Sequence, residues 1–423
     1  MKPKYLILLS ILLIISASML RGQDAPAFGI KLSGYIKDDV FFDTRQTVAA
    51  REGHFLLWPS PEKEDSDGED INARPALNML AIQTMLKATI QGPDAFGAKT
   101  SGIVEADFFA TTNETINLLR LRHAAVMLQW KTIEILAGQY WNPFFVPECF
   151  PATVSFNTGA PLQSFARNPQ LRATYRAGDL KLLVAALSQR DYSTYGPAGA
   201  NSAYLRNSAM PDMHLQVHYI LKDADAGAEL VVGAGAAYKT VVPRLESTVA
   251  LTNQVYRVEE KVSGLSALVF GRLITRTLTF KLQARYGENI SDVLAVSGFA
   301  VKEVIDPLRL EQSYTPLKSM TYWGEFHTNG KLQFGLFGGY LLNMGTKEAM
   351  GTENAVVYGL STNIRSLYRL SPRIVYNSGK ARLALELEYT SAAFGEGYDV
   401  FYVPEKTKEA ANLRALAAVY YFF

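Results

Sequence analysis

From Thr277 to Tyr286 the chain alternates without a break. Thr277, Thr279, Lys281, Gln283 and Arg285 are polar, and Leu278, Phe280, Leu282, Ala284 and Tyr286 between them are apolar. A β-strand sends successive side chains to opposite faces, so this segment makes one polar and one apolar face. Lys380 to Thr390 repeats the pattern: Lys380, Arg382, Glu386, Glu388 and Thr390 lie on one face, with Ala384 the one apolar member. Gln170 to Tyr175, His214 to Tyr219 and Tyr368 to Ile374 alternate in the same way. Soluble antiparallel sheets alternate too, but their strands run ~5–6 residues. These segments run about 10–13 residues, enough to cross a bilayer when tilted. Their apolar faces often end in an aromatic (Tyr175, Tyr219, Tyr286, Tyr340, Tyr376, Tyr389), as the interfacial girdles of membrane barrels require.

The N-terminus predicts a route to such a membrane. Lys2 and Lys4 precede an apolar run from Tyr5 to Ile15, and the small residues Ser16, Ala17 and Ser18 follow. This is the pattern of a secretory signal peptide over 1–23, with cleavage after Ser18 or near Gly22. The alternative, a membrane anchor helix, needs ~20 apolar residues. The remainder, 24–423, reads as one transmembrane β-barrel domain. Composition agrees: 48% of the 423 residues are hydrophobic and only 19% charged, against ~25% charged in soluble domains. The apolar content excludes a disordered chain. With 42 Lys and Arg against 40 Asp and Glu, no basic excess exists to neutralise phosphates, so no nucleic-acid partner is expected. A single cysteine rules out a disulfide framework or a Cys-based metal site.

Sixteen candidate strands begin near Ile30, Asn78, Ser101, Leu118, Thr132, Gln170, Leu180, Met213, Ala228, Val262, Thr277, Thr321, Lys331, Ser366, Lys380 and Asn412. That is an all-β fold, a transmembrane antiparallel barrel of about sixteen strands. Connections alternate between long (after Asp43, Gln139, Gln189, Val241, Gly287, Asn343 and Ser391) and short (Lys131, Ala177-Gly178, Asn329-Gly330, Ser378-Gly379). Two break the rule: Thr111–Asn117 is short where a long loop is due, and Gln91–Thr100 is moderate where a tight turn is due. The chain ends Ala418-Val419-Tyr420-Tyr421-Phe422-Phe423, which resembles the terminal strand signal of bacterial outer-membrane proteins.

No motif points to catalysis, a resident metal or a cofactor. Gly92 to Thr100 comes close to a P-loop, but Ala98 separates Gly97 from Lys99 and a strand pattern follows, so a polar turn is the better reading. His214 and His218 share a strand face, too far apart along it to chelate one ion easily, and read as two lumen-facing histidines. Cys149 reads as a structural thiol. Glu62, Glu64, Asp65, Asp67, Glu69 and Asp70 cluster in the first long loop. They could hold calcium, but lack EF-hand spacing; a solvated acidic loop is the simpler reading.

Tyr140 to Asn168 is the third long loop, with four Pro, five Phe, one Tyr and one Trp. A loop that long and aromatic needs a packed environment, which predicts that it folds into the pore or against a neighbouring subunit. Nearby, Glu105 and Asp107 share one strand face, and Arg120 and Arg122 share a face of the next, with Leu119 and Leu121 opposite. The expected pore lining and constriction is therefore Arg120, Arg122, Glu105 and Asp107, with Gln139, Trp141, Arg172, Arg369 and Arg373. The opposite charges either line the pore or pair with one another; charged rings of this kind select solutes in pores.

Several blocks also resemble a family, the DcaP-like trimeric porins and their Bacteroidota relatives. They are Gly34-Tyr35-Ile36-Lys37 with Asp43-Thr44-Arg45, Arg51-Glu52-Gly53, Gly68-Glu69-Asp70-Ile71-Asn72, Gly92-Pro93-Asp94-Ala95-Phe96-Gly97, Leu121-Arg122-His123-Ala124, Gly138-Gln139-Tyr140-Trp141-Asn142-Pro143 and Ser155-Phe156-Asn157-Thr158-Gly159-Ala160-Pro161. They cover mainly the first ~170 residues; the later half is similar only as alternating strands. The resemblance implies sixteen strands, a homotrimer, a third loop folded into the pore, and passive diffusion with some preference for anionic solutes. The coiled-coil extension that some DcaP-like proteins carry has no counterpart, since only Asp24 to Gly29 precede the first strand.

The expectation is an outer-membrane porin in contact with outer-membrane lipid, passing small hydrophilic solutes. The alternative is a closed-lumen barrel serving as adhesin, anchor or membrane enzyme. A TonB-dependent transporter does not fit, because 423 residues cannot supply a plug and 22 strands.

Overall fold

The computed structural model describes residues 28–249, 252–350 and 356–423; the expected signal peptide lies outside them. The described residues form sixteen antiparallel staves. They are β1 (Gly29–Asp43), β2 (Ala76–Leu80 continuing as Met85–Gln91), β3 (Lys99–Asp107), β4 (Arg120–Gln129), β5 (Ile133–Trp141), β6 (Arg167–Ala177), β7 (Leu180–Leu187), β8 (Asp212–Asp223), β9 (Ala228–Val241), β10 (Val262–Ile274), β11 (Leu278–Glu288), β12 (Glu311–Thr328), β13 (Leu332–Thr346), β14 (Ile364–Ser378), β15 (Ala381–Phe394) and β16 (Lys408–Phe422). Each pairs with its sequence neighbour, and β1 pairs with β16 from Tyr35 opposite Phe422 to Asp43 opposite Arg414. That seam closes the barrel and removes both sheet edges. An ion pair fastens it, with Arg414 bidentate on Asp43 (Nε–Oδ1 2.9 Å, Nη2–Oδ2 2.6 Å).

The two halves of β2 are one stave. Leu80 lies opposite Asp39 and Met85 opposite Tyr35, so four residues on β2 face three on β1. This is a bulge.

The alternation decides which way the barrel faces. On β8, His214, Gln216 and His218 are buried while Leu215, Val217 and Tyr219 are exposed. On β11, Arg285 is 1% exposed and Leu282 58%. A sheet with its polar row inside and its apolar row outside is stable only where the outside is hydrocarbon; this is a transmembrane β-barrel. No helix among the described residues is long and apolar enough to cross a membrane. Outward aromatics gather near the short turns (Tyr175, Tyr219, Phe326, Tyr376, Tyr421) and near the long loops (Phe42, Tyr238, Tyr368, Tyr389). They form the two interfacial belts.

Long loops sit on one rim and short turns on the other, with both ends of the barrel chain at the short-turn rim. Most staves start within a few residues of the expected positions. β12 is the exception, beginning at Glu311 rather than near Thr321. Its first residues rise above the barrel and pair with Gly298–Asp306. Tyr314 to Leu317 are all buried there, so the two-residue alternation that marks a lipid-facing strand is lost. The connection 92–98 is a closed turn, bridged between Ala95 and Ala98.

Placing a charge on the lipid row tests this orientation. Leu385→Arg, mid-strand on β15 and 60% exposed, is expected to cost about 2–4 kcal/mol near the bilayer midplane. Equilibrium urea unfolding in lipid vesicles measures it.

Candidate functional site

Strand alternation delivers a ring of charged side chains to the inner wall, and the third long loop, residues 142–166, meets them. It is anchored at Asn142, whose Oδ1 accepts the Phe144 N–H (3.0 Å). Trp141 stacks on Phe145 with ring centroids 3.7 Å apart. Beyond this anchor the loop forms no strand: some amides close turns, as Ala160 N–H does on Asn157 O (2.8 Å) and Gln163 N–H on Gly159 O (3.0 Å), and others reach the wall. Carboxylates of the wall take its N–H groups: Ala152 donates to Glu325 on β12, and Val154 (2.7 Å) and Ser155 (3.1 Å) donate to Glu386 on β15. The Asn157 amide donates to Glu388 on β15 (3.1 Å). Cations of the wall take its carbonyls: Lys281 on β11 reaches Phe150 O (2.9 Å) and Lys37 on β1 reaches Val154 O (2.8 Å). Arg369 on β14 reaches Ala160 O (2.7 Å) and Arg285 on β11 reaches Pro161 O (3.3 Å). Buried irregular backbone must find such partners.

A second segment shares this space, and the sequence reading missed it. Thr47–Ala50 and Phe55–Pro59 form a hairpin in the first long loop, and Phe55, Leu56 and Trp58 are at most 1% exposed. Phe55 packs edge-on against Phe156 of the third loop (5.4 Å), and His54 stacks near Phe156 (5.5 Å) while bonding Asp39 of β1 (2.7 Å). Arg369 joins both loops: Nη1 binds Ala160 O and Nη2 binds Leu57 O (2.6 Å). The run Phe55-Leu56-Leu57-Trp58 was the available signal, an apolar stretch inside a loop otherwise marked by acids.

The expected site residues divide. Arg120 is bidentate on Asp107 (3.0 and 2.8 Å), and Arg122 bonds Glu105 (2.7 Å) and Asp107 (2.7 Å). All four are inward and buried, so two cations and two anions cancel. A bulge between β3 and β4 lets both arginines face inward, since Glu105 lies opposite His123 while Asp107 lies opposite Arg120. Leu119 and Leu121 are exposed opposite them. Arg172 is inward and bonds Gln170 (2.9 Å) and Trp141 O (2.7 Å). Arg373 pairs with Glu325 (2.7 Å), and Trp141 packs against the third loop. Gln139 departs from the expectation. It lies on the same row of β5 as exposed Ala137, and its amide is spent on the carbonyls of Leu121 and Arg122. Strand parity, with Leu136 opposite inward Arg172, puts its Cα on the outer row.

The remaining candidates sit inside the wall or on the long-loop rim. His214 and His218 are buried on the inner wall. The Cys149 thiol is buried and donates to Gly271 O (3.3 Å). In the acidic loop the backbone N–H groups of Glu69 and Asp67 hold the Asp65 carboxyl below its usual range, and Asp70 pairs with Arg45 (3.0 Å). Among the described residues no group of three or more His, Cys, Asp or Glu is placed to hold a metal ion.

Known structures share this architecture. The barrel superposes on the outer membrane channel DcaP of Acinetobacter baumannii with a TM-score of 0.64 at 15% identity, covering 96% of this chain and 100% of that one. OmpT of Vibrio cholerae, an outer membrane protein, matches at 0.53 and 11% identity over 95% of this chain and 99% of that one. The anion-selective porin from Comamonas acidovorans matches at 0.52 and 9% identity over 94% and 100%. At these identities the likeness is one of fold: this is a porin-type barrel. No protein-family model matches the sequence, and no curated protein does.

Removing one wall acceptor tests the loop's attachment. Glu386→Ala strips the Val154 and Ser155 amides of a charged partner, a bond worth about 1.5–3 kcal/mol. Those two amides are expected to exchange hydrogen about tenfold faster or more, read by mass spectrometry, with strand amides unchanged.

Proposed function

We propose that the chain is an outer-membrane porin of the DcaP-like kind, a passive diffusion channel for small hydrophilic solutes rather than an enzyme. One observation carries the reading: a closed sixteen-strand barrel with lipid-compatible residues outside and charged residues around its inner wall. Residues 142–166 and the hairpin 47–59 are its constriction. In this reading a charged wall and an aromatic loop bound a narrow polar passage, the arrangement by which pores select among solutes. The solute preference is for anions, including carboxylates, which Arg side chains suit through fixed donor forks.

The working unit is a homotrimer surrounded by outer-membrane lipid. A solved form of the similar OmpT is a trimer. Native electrophoresis in mild detergent is expected to give a species of three times the monomer mass; a monomer alone counts heavily against it.

A second reading has its own support. Leu56, Trp58, Ala160 and Leu162 are fully buried between the two loops and the wall, which suits a closed lumen and a barrel that acts as adhesin or anchor. Planar-bilayer recording separates the two. The porin reading expects discrete conductance steps from purified protein, and larger steps once residues 150–160 are deleted, because the narrowest section dominates resistance. Folded, inserted protein without steps supports the closed barrel.

A further inference from the structure

We propose that ion preference is set below the loops, by a basic vestibule at the short-turn end of the lumen, and that this makes conduction asymmetric along the pore axis. The inference rests on the porin reading and adds its selectivity residues. Six basic side chains stand within a few residues of the short turns: Lys87, Arg176, Lys222, Arg272, Lys281 and Arg382. Residues directly opposite on neighbouring strands share a face. Lys87 lies opposite Glu105, Arg176 opposite buried Lys181, Arg272 opposite buried Val231, Lys281 opposite Glu325, and Arg382 opposite buried Tyr420. Lys222 follows His214 and His218 on their row. All six therefore point inward; Arg272 and Lys281 are largely covered (side chains 16% and 11% exposed), while Arg176 and Lys222 are exposed and Lys87 and Arg382 partly so, and the water these four meet is the water of the lumen.

The turns themselves carry Asp94, Asp179, Asp223 and Asp225 against Lys99, Lys131, Arg276, Lys331 and Lys380, and on the inward rows the acids are too few. Glu229 is shared by Lys222 and Arg272. Glu325 is shared by Arg373 and Lys281 (2.7 and 3.7 Å). Glu134 on β5 faces the same space, opposite Thr174. Lys87, Arg176 and Arg382 have no carboxylate within 4.0 Å among the described residues; Arg382 bonds Asn377 (2.8 Å) and lies over the rings of Tyr420 and Phe422. On β3 and β4, beside Lys87, the charges balance. Arg120 and Arg122 are cancelled by Glu105 and Asp107, and the far rim carries Glu62, Glu64, Glu396 and Glu409 around a cavity with Lys408. Uncompensated positive charge is thus concentrated at one end. Low-dielectric walls focus such a field and enrich counter-ions, which gives anions a higher local concentration on the short-turn side.

The test is the triple variant Lys87→Gln, Arg176→Gln, Arg382→Gln beside the unaltered protein, recorded in planar bilayers after one-sided insertion. In a gradient around 0.1 M KCl, where screening extends ~10 Å, the chloride-over-potassium permeability ratio is expected to fall severalfold. The current asymmetry between polarities is expected to shrink with it. In 1 M KCl, where screening extends ~3 Å, the two proteins converge. Arg176→Glu alone, at an exposed side chain with no ion pair, guards against misfolding of the triple variant and should shift the ratio in the same direction. A conducting, folded variant with unchanged ratio and asymmetry overturns the vestibule and leaves the porin standing. Absence of conductance in the unaltered protein overturns the porin reading and the vestibule with it.

Discussion

Backbone amides without water must be bonded to something, and in this molecule that requirement organises the interior. A hairpin and an irregular loop occupy a space ringed by strands whose own backbone groups are already used in the sheet. The hairpin pairs its own backbone and the third loop closes turns of its own; for the amides and carbonyls left over, side chains remain. The wall answers with carboxylates for N–H groups (Glu325, Glu386, Glu388) and with cations for carbonyls (Lys37, Lys281, Arg285, Arg369). The wall charges are therefore structural as well as electrostatic. A neutral wall would leave the loops without partners, and an uncontacted charged wall would leave buried ions unpaired, a cost of several kcal/mol each.

This dual use explains how much of the protein was legible in its sequence. The staves were, because lipid on one side and polar groups on the other impose a two-residue period that nothing else in the chain imitates; Thr277 to Tyr286 carries it without error. Where a second layer covers the strand, as at Tyr314 to Leu317, the period vanishes and the boundary was misplaced by ten residues. The third loop was legible as a packed segment from its aromatic content, because such side chains do not rest in water. Its partners were not. Glu386 and Glu388 alternate on β15 like any inward residues, and only the fold brings Val154 and Asn157 to them from more than two hundred residues away.

The arginine pair shows the same limit from another side. Sequence put Arg120 and Arg122 on one face and Glu105 and Asp107 on the next strand, and left open whether they line a passage or neutralise each other. Register decides: Asp107 lies directly opposite Arg120, and a bulge turns Arg122 in beside it. Charges that end in bidentate pairs hold adjacent strands together and present little net field. The six bases near the short turns looked like ordinary strand residues, because their imbalance is a property of one end of a closed surface and not of any one segment.

The seam between β1 and β16 has a further consequence for how the molecule comes into being. Asp43 and Arg414 stand about as far apart along the chain as two barrel residues can, and nearly every contact that fastens the seam has a similar separation. Contacts of such long range form late and slowly. Until β16 has been made, β1 presents an open edge of unpaired amides beside an apolar face. The first strand must therefore be sheltered for the whole time that the remaining fifteen are being laid down, and Arg414 arrives as the rivet that ends the exposure.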